Sequence, residues 1–498
     1  MTAQPNTAAA HPRDLGAARV VKNTAVLLAL RVGMPMLSVA LVLAVSRTLG
    51  AEGLGRYTLA FTFLYFCDTI APLGLRALIT REGARNGAVL KSMLANSLTL
   101  GTASGLLSAG LMATLGLVLG YDTATQRVVL LLSLAVLPSP LMAFFEATFV
   151  ALERMEYVAA MLLAEVIVRV GLGGALLLAG YGLEGVMLAA VAGRLLACFG
   201  ASRLVERAGI PVRWGLDPVL LRQLVREAPT FLMISVFATL YWRIDAFMLS
   251  QLRGVEDVGY YGAAWRLLEF AIIIPQSFCL SLYPQMASAA AQGAAALDWL
   301  GRAAARYLFA ASLPAAVCVT LLAEPILTLL YGESFHAAAG ALIVLMWSVV
   351  PYGWIRYHAY VLVAANHQRV DLALNGLASL CNIALNFGLI PAYGALGAAL
   401  ATLISLWLYA SLQYLYLQQR LPGYAAPLRP DAAPLLAAAL TGVFVWTVRQ
   451  PHAVVALTAA PFVYAVTLLG TGFFTSAELR LLHLDRLAKA CGVSALIR

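Results

Sequence analysis

The 498-residue chain is 62% hydrophobic and only 11% charged, with a mean hydropathy of +0.85. That composition excludes an ordinary soluble domain, in which roughly 45–50% of residues are apolar and roughly 25% charged. The net charge of +9 reports orientation in a bilayer rather than nucleic acid, because Lys and Arg gather on alternate connections between apolar runs.

Residues 1–22 are rich in Ala, Thr and Pro with a few charges, which reads as a cytoplasmic tail rather than a cleavable leader. Fourteen apolar runs follow, each near the ~20 residues that cross ~30 Å of hydrocarbon. They are 24–46, 57–79, 92–119, 128–152, 158–179, 185–202, 230–252, 259–286, 307–330, 338–363, 370–391, 395–418, 433–448 and 453–474. The six cysteines are scattered without a Cys-x-x-Cys, so neither a disulfide framework nor a zinc site is expected.

One element is written twice. Gly50-Ala-Glu-Gly-Leu-Gly-Arg-Tyr57 and Gly254-Val-Glu-Asp-Val-Gly-Tyr-Tyr261 carry Gly, Glu, Gly and Tyr at the same spacing. A second echo, Tyr181-Gly-Leu-Glu-Gly185 and Tyr393-Gly-Ala-Leu-Gly397, follows in the same order. Two ordered motifs imply a tandem duplication. Six crossings separate the glycine turns, so the copies are parallel repeats. The expected fold is therefore an all-α integral membrane protein of about fourteen transmembrane helices, in two parallel six-helix lobes plus two C-terminal helices. The N-lobe is 23–202 and the C-lobe 230–418. Between them 203–229 interleaves Arg203, Arg207, Arg213, Arg222 and Arg226 with Trp214, Leu216, Leu220 and Leu224, suiting either an interfacial amphipathic linker or a solvated basic loop. Helices thirteen and fourteen occupy 419–474. A tail helix at 475–498 opens on a Thr475/Glu478 capping box. With the first residues inside, both termini are cytoplasmic.

Seven arginines fall within spans: Arg31, Arg76, Arg169, Arg194, Arg243, Arg266 and Arg356. Six acids do also: Asp68, Glu146, Glu165, Asp245, Glu269 and Glu324. Each would cost about 2.5–3.5 kcal/mol at a lipid-facing helix centre, so they must face one another or a hydrated cavity. Spacing pairs Glu165 with Arg169 and Arg266 with Glu269, while Arg76 and Arg356 lie where they can snorkel. Arg31, Arg194 and Arg243 have no local partner, and guanidinium matches phosphate oxygens in a fork. Asp245 stands on nearly the opposite helix face from Arg243. With Asn382, Asn386 and Thr402 it offers oxygens for a small hard cation or a proton, or else the amides and hydroxyl serve as packing bonds between helices. Tyr241, Trp242, Tyr260, Tyr261 and Trp265 read either as sugar-stacking rings or as an aromatic belt. Walker, Rossmann and nucleophile-elbow motifs are missing, and the expected outer loops are at most ten residues (47–56), too short to carry the chemistry of an enzyme.

The run Arg47-Thr-Leu-Gly-Ala-Glu-Gly-Leu-Gly-Arg-Tyr57 and Leu75-Arg-Ala-Leu-Ile-Thr-Arg-Glu82 resembles the opening signature of Wzx-like polysaccharide transporters. Arg243-Ile-Asp-Ala-Phe-Met-Leu249, Leu330-Tyr-Gly332 and Asn386-Phe-Gly-Leu-Ile-Pro391 are similar to the second half of those proteins. The resemblance, over most of 25–420, is to the multidrug/oligosaccharidyl-lipid/polysaccharide superfamily. It implies a flippase of the bacterial inner membrane, working by alternating access on undecaprenyl-diphosphate-linked oligosaccharide. Glycan polymerase and glycosyltransferases are the implied partners, and Na+ or H+ the implied coupling cation, with no other cofactor. It further implies a diphosphate contact for Arg31 and Arg266, and a cation role for Asp245. Together with the spacing argument the headgroup candidates are Arg31, Arg194, Arg243 and Arg266. The rival within the superfamily is a cation-coupled multidrug antiporter, which requires Asp68 or Glu146 to stand free. A membrane-embedded enzyme of glycan assembly is disfavoured by the short outer loops.

Overall fold

In a computed structural model of the chain, residues 12–421, 424 and 432–474 are described, and those in regular structure are helical, with no strand among them. The expected tail helix at 475–498 and residues 1–11 lie outside the described residues. The chain divides into two compact units, one of residues up to Leu49 with Arg56–Arg243, the other of Gly50–Gly55 with Ile244 onward.

The first unit begins with α1 (Pro12–Ile70), a helical run broken by a non-helical residue, Gly50. After a turn at Pro72 come α2 (Leu75–Arg85), α3 (Gly87–Val118), α4 (Thr123–Ser133) and α5 (Ser139–Ala151). Asp122 caps α4, accepting from Ala124 N at 3.2 Å and Thr125 N at 3.4 Å, which satisfies N–H groups that no helical carbonyl reaches. Then follow α6 (Met155–Leu176), α7 (Gly182–Arg207) and α8 (Pro218–Leu252), the last passing from one unit into the other at 243/244. The unit's core sets Leu75, Leu78 and Ile79 of α2 against Phe144, Phe145 and Phe149 of α5 and Leu94 and Leu98 of α3.

The expected linker 203–229 is not a separate element. Its first residues finish α7 and its last begin α8, and the connection between is stitched to α3. Gly215 N donates to Ala95 O (2.9 Å), Thr99 Oγ1 to Gly215 O (2.7 Å) and Asp217 N to Asn96 Oδ1 (2.8 Å). Ile210, Leu224 and Ala228 join the same core, while Trp214, Leu216 and Val219 stay exposed. Amphipathic periodicity thus reported a real apolar edge, but backbone hydrogen bonds fix the segment to one unit.

The second unit contains α9 (Val255–Gln292), α10 (Ala294–Tyr331), α11 (Ala339–Trp347), α12 (Val349–Ala364), α13 (Gln368–Tyr393), α14 (Ala395–Arg420) and α15 (Ala432–Gly470). The side chains of α15 pack on α10 through Val445, Ala456 and Ala460 against Leu322 and Ile326. Eleven helical stretches among the described residues are long and apolar enough to cross a membrane, against the fourteen expected. Two of them, Gly33–Ile70 and Met155–Arg207, each carry two expected spans in one run, kinked at Gly50 and at Gly180. Part of 230–252, in α8, has side chains outside the described residues. Large apolar side chains point outward, among them Leu107, Leu178 and Phe462, the pattern of helices solvated by lipid.

The duplicated glycines adopt matching backbones. Gly182 (φ 58, ψ −150) and Gly394 (φ 55, ψ −130) open α7 and α14, and Gly50 (φ 66, ψ −163) and Gly254 (φ 109, ψ −178) precede the next helical turn in each copy. Within the second unit the two turns cross at backbone contact. A Cβ on Gly55 would lie 1.8 Å from Val255 O, and one on Gly259 would lie 2.0 Å from Ala51 O. Both offsets, 51 to 255 and 55 to 259, are 204 residues, the spacing of the repeat, so the contact is reciprocal.

Gly55→Ala and Gly259→Ala should each destabilise the protein by about 2 kcal/mol or more, since overpacking against backbone cannot relax by a rotamer change. Gly110→Ala, in α3 with nothing within 4 Å of the added Cβ, should be neutral or stabilising by about 0.5–1 kcal/mol. Thermal unfolding of the purified variants checks both.

Candidate functional site

In the second unit the structure brings Asp245, Asn382, Asn386 and Thr402 together. Asp245 sits near the end of α8 and is 3% exposed, and Asn386 is fully buried. Asn386 Nδ2 donates to Asp245 Oδ1 at 2.6 Å and to Asn382 Oδ1 at 3.0 Å. Thr402 Oγ1 and Tyr261 Oη each donate to Asp245 Oδ2 at 2.9 Å. Asn382 Nδ2 continues the chain to Ser405 Oγ at 3.4 Å. The sequence accounts for this locally: Asn382 and Asn386 are one turn apart on α13, as are Thr402 and Ser405 on α14.

No Lys, Arg or His pairs with Asp245 among the described residues, and Asn386 Oδ1 is buried without a hydrogen-bond partner. A buried carboxylate without a counter-charge is costly, and a proton or a small cation is what could offset that cost. One carboxylate among neutral oxygens is the donor set of a hard ion. Groups of three or more His, Cys, Asp or Glu able to hold a metal are missing among the described residues. Tyr261 and Ser405 were not anticipated. The signal for Tyr261 was there: Tyr57 and Tyr261 hold the same place in the repeat, and both are buried, at 3% exposure, which a belt of interfacial rings does not require.

The first unit corrects the arginine assignment. Arg194, expected to lack partners, grips Asp68 with two nitrogens (Nη1 to Oδ1 2.7 Å, Nη2 to Oδ2 2.6 Å) and Glu165 Oε1 through Nε (3.2 Å). It also donates to Ser139 Oγ at 2.6 Å and Ala135 O at 3.3 Å. All three of its nitrogens are engaged on carboxylates, two of them on Asp68, so Arg194 ties helices together. Gly193 lets α7 approach α6, since a Cβ there would lie 2.9 Å from Glu165 O.

The expected Glu165–Arg169 pair is therefore absent. Arg169 donates instead to Ser38 Oγ at 2.9 Å, lies 5.5 Å from the Phe61 ring, and keeps a buried Nε without a partner. Arg243 stacks over Tyr65 at 4.3 Å. Arg76, an exposed side chain, is bound to Glu146. A cavity of about 520 Å³ in this unit is lined by Asp68, Thr69, Arg76, Thr80, Arg81 and Ser235. Arg31 lies in α1, its side chain outside the described residues. In the second unit Arg266 pairs with Glu269 at 2.8 Å, as spacing indicated, and Trp265 Nε1 donates to Glu269 at 3.0 Å.

Comparison with known proteins adds the family context. A family described as "Polysaccharide biosynthesis protein" matches residues 20–290, more than half the chain, and one described as MatE matches 229–387. Probable flippase AglR of Haloferax volcanii is 30% identical over 176 residues, 34% of this chain and 36% of that protein, so the match spans about a third of the relative's length. Among solved structures, the lipid II flippase MurJ in an inward closed conformation has a TM-score of 0.69 at 15% identity, covering 90% of this chain and 98% of that one. An inward-facing multidrug resistance MATE transporter of the MOP superfamily has a TM-score of 0.59 at 15% identity, covering 78% and 97%. A MOP superfamily transporter from Pyrococcus furiosus has one of 0.55 at 16% identity, covering 79% and 95%. At such identities the solved structures establish a shared fold.

Arg194→Gln should destabilise the protein by about 3–5 kcal/mol, because it leaves two carboxylates uncompensated. The triple variant Asp68→Asn/Glu165→Gln/Arg194→Gln should recover much of that loss. Unfolding midpoints of the two in the same detergent decide it; equal midpoints would mean that Arg194 does not neutralise these acids.

Proposed function

Because the chain belongs to the polysaccharide biosynthesis protein family, within the multidrug/oligosaccharidyl-lipid/polysaccharide superfamily, we propose that it is a flippase for lipid-linked oligosaccharide. Its substrate is an undecaprenyl-diphosphate-linked repeat unit, moved from the inner to the outer leaflet of the bacterial cytoplasmic membrane by alternating access. Both termini then face the cytoplasm, and the chain works between glycosyltransferases that supply the unit and a polymerase that consumes it.

The observation that carries this reading is the state of the acids in the first unit. A transporter of cationic drugs needs a free carboxylate there, but Asp68 is held by Arg194 and Glu146 by Arg76. Arg169, by contrast, has no carboxylate partner among the described residues and keeps a buried N–H unused. With Arg31 and Arg243 it forms the set proposed to meet the diphosphate, while Arg194 and Arg266 leave it, being committed to acids.

Two driving forces are at hand. Moving two negative charges outward against an interior-negative potential gains about 4.6 kcal/mol per 100 mV, provided that the arginines stay in place. A proton or Na+ entering the Asp245 cage would neutralise its buried carboxylate and couple a second gradient to the cycle. The chemistry such an ion supplies is charge balance, and Tyr261, Asn386 and Thr402 hold the carboxylate in place to receive it.

A second reading, a cation-coupled multidrug antiporter, is favoured by the MatE match over 229–387. It keeps the Asp245 cage, changes the cargo to a cationic drug and requires Asp68 or Glu146 to be released from its arginine.

Complementation of a flippase-null strain separates the two. The wild type should restore surface glycan, Arg31→Ala should abolish it and Arg169→Gln should reduce it about tenfold or more, with each variant present in the membrane at wild-type level. Asp245→Asn should fold normally but lose the dependence of transport on Na+ or pH. Drug resistance without complementation would establish the antiporter, and full activity of Arg31→Ala would remove that residue from the headgroup set.

A further inference from the structure

The second unit holds a guanidinium that none of these roles uses. Arg356 lies in α12, half-buried, with its Cζ 5.5 Å from the centroid of the Tyr360 ring. That ring in turn lies 5.2 Å from the ring of Tyr283 on α9, at 47°. The two helices are drawn together just beside it, where Cys279 Sγ donates to Gly353 O at 3.7 Å. Arg356 is hydrogen-bonded to Tyr360 while its Nε is buried without a hydrogen-bond partner, and no carboxylate pairs with Arg356 among the described residues.

Three acids of the neighbouring helices are engaged elsewhere. Glu269 is held by Arg266, Asp298 by Arg302 at 2.8 Å, and Asp371 accepts from Tyr409 at 2.9 Å and Gln413 at 2.6 Å. A guanidinium cannot shed its proton, so Arg356 is a fixed positive charge. The flanking tyrosines, both partly open, add flat apolar faces with a polar tip, the surface that packs against a sugar ring.

We propose that Arg356, Tyr283 and Tyr360 form a glycan-anion subsite. The guanidinium fork takes the oxygens of a phosphate or of a sugar carboxylate, and the tyrosine pair lies against the adjoining pyranose ring. The proposal rests on the flippase reading and sharpens it, because it gives the second unit its own contact with the headgroup.

Calorimetric titration of the full chain in phosphatidylcholine nanodiscs tests it, with geranylgeranyl diphosphate, dodecyl glucuronide and neutral dodecyl glucoside as probes. The wild type should bind at least one anionic probe more tightly than the glucoside. Arg356→Gln should weaken that probe about tenfold, and Arg356→Lys, which keeps the charge but not the fork, should fall between. Loss of diphosphate binding identifies the lipid diphosphate as the source, and loss of glucuronide binding identifies an acidic sugar. Tyr283→Leu/Tyr360→Leu should weaken the glucuronide and spare the diphosphate. Unchanged binding by Arg356→Gln, or a wild type that binds neither anion, overturns the subsite. If complementation by the wild type still holds, that failure leaves the flippase reading standing; if complementation fails while Arg356-dependent binding persists, the reading falls and the subsite does not.

Discussion

Arg194 is the contact on which the first unit depends. It ties Asp68 at the end of α1 to Glu165 on α6, and reaches Ser139 at the start of α5, so four helices share one cation. In hydrocarbon none of these acids could stand ionised without it. Its consequence reaches the neighbours: with Glu165 taken, Arg169 on the next turn of the same helix is left to Ser38 and the Phe61 face. One commitment thus sets which charges are structural and which are left for a ligand.

The second unit meets the same constraint differently. Asp245 is deeper than Asp68, yet its partners are an amide, a hydroxyl and a phenol. Neutral donors stabilise a carboxylate without cancelling its charge. The two units thus differ in how they hold a buried acid, one by arginine and the other by neutral donors among the described residues. Arg356, on the cationic side, has no carboxylate partner among the described residues.

Much of this was legible before any coordinate. The duplication could be read from glycine spacing because positive φ and backbone contact leave few alternatives at Gly182, Gly394 or Gly55. The Asp245 cage could be read because Asn382 and Asn386 fall on one helical face, and because amides and hydroxyls in apolar helices have few other uses. Arg194 could not, since its acids lie 126 and 29 residues away. The rule that four-apart charges pair placed Glu165 with Arg169, and a tertiary guanidinium with better geometry took the carboxylate instead. In the stretch 203–229 the periodicity shows an apolar edge but not the hydrogen bonds to Ala95, Asn96 and Thr99 that hold it.

The crossing of Gly55 and Gly259 has a bearing on substitution. A Cβ added to either glycine would lie 3.1 Å from the other's amide nitrogen, and each faces the carbonyl four residues before its counterpart. Because each glycine faces the other turn's backbone carbonyl, neither turn can take up a side chain at this position by moving a rotamer, and the two positions are bound to the same residue.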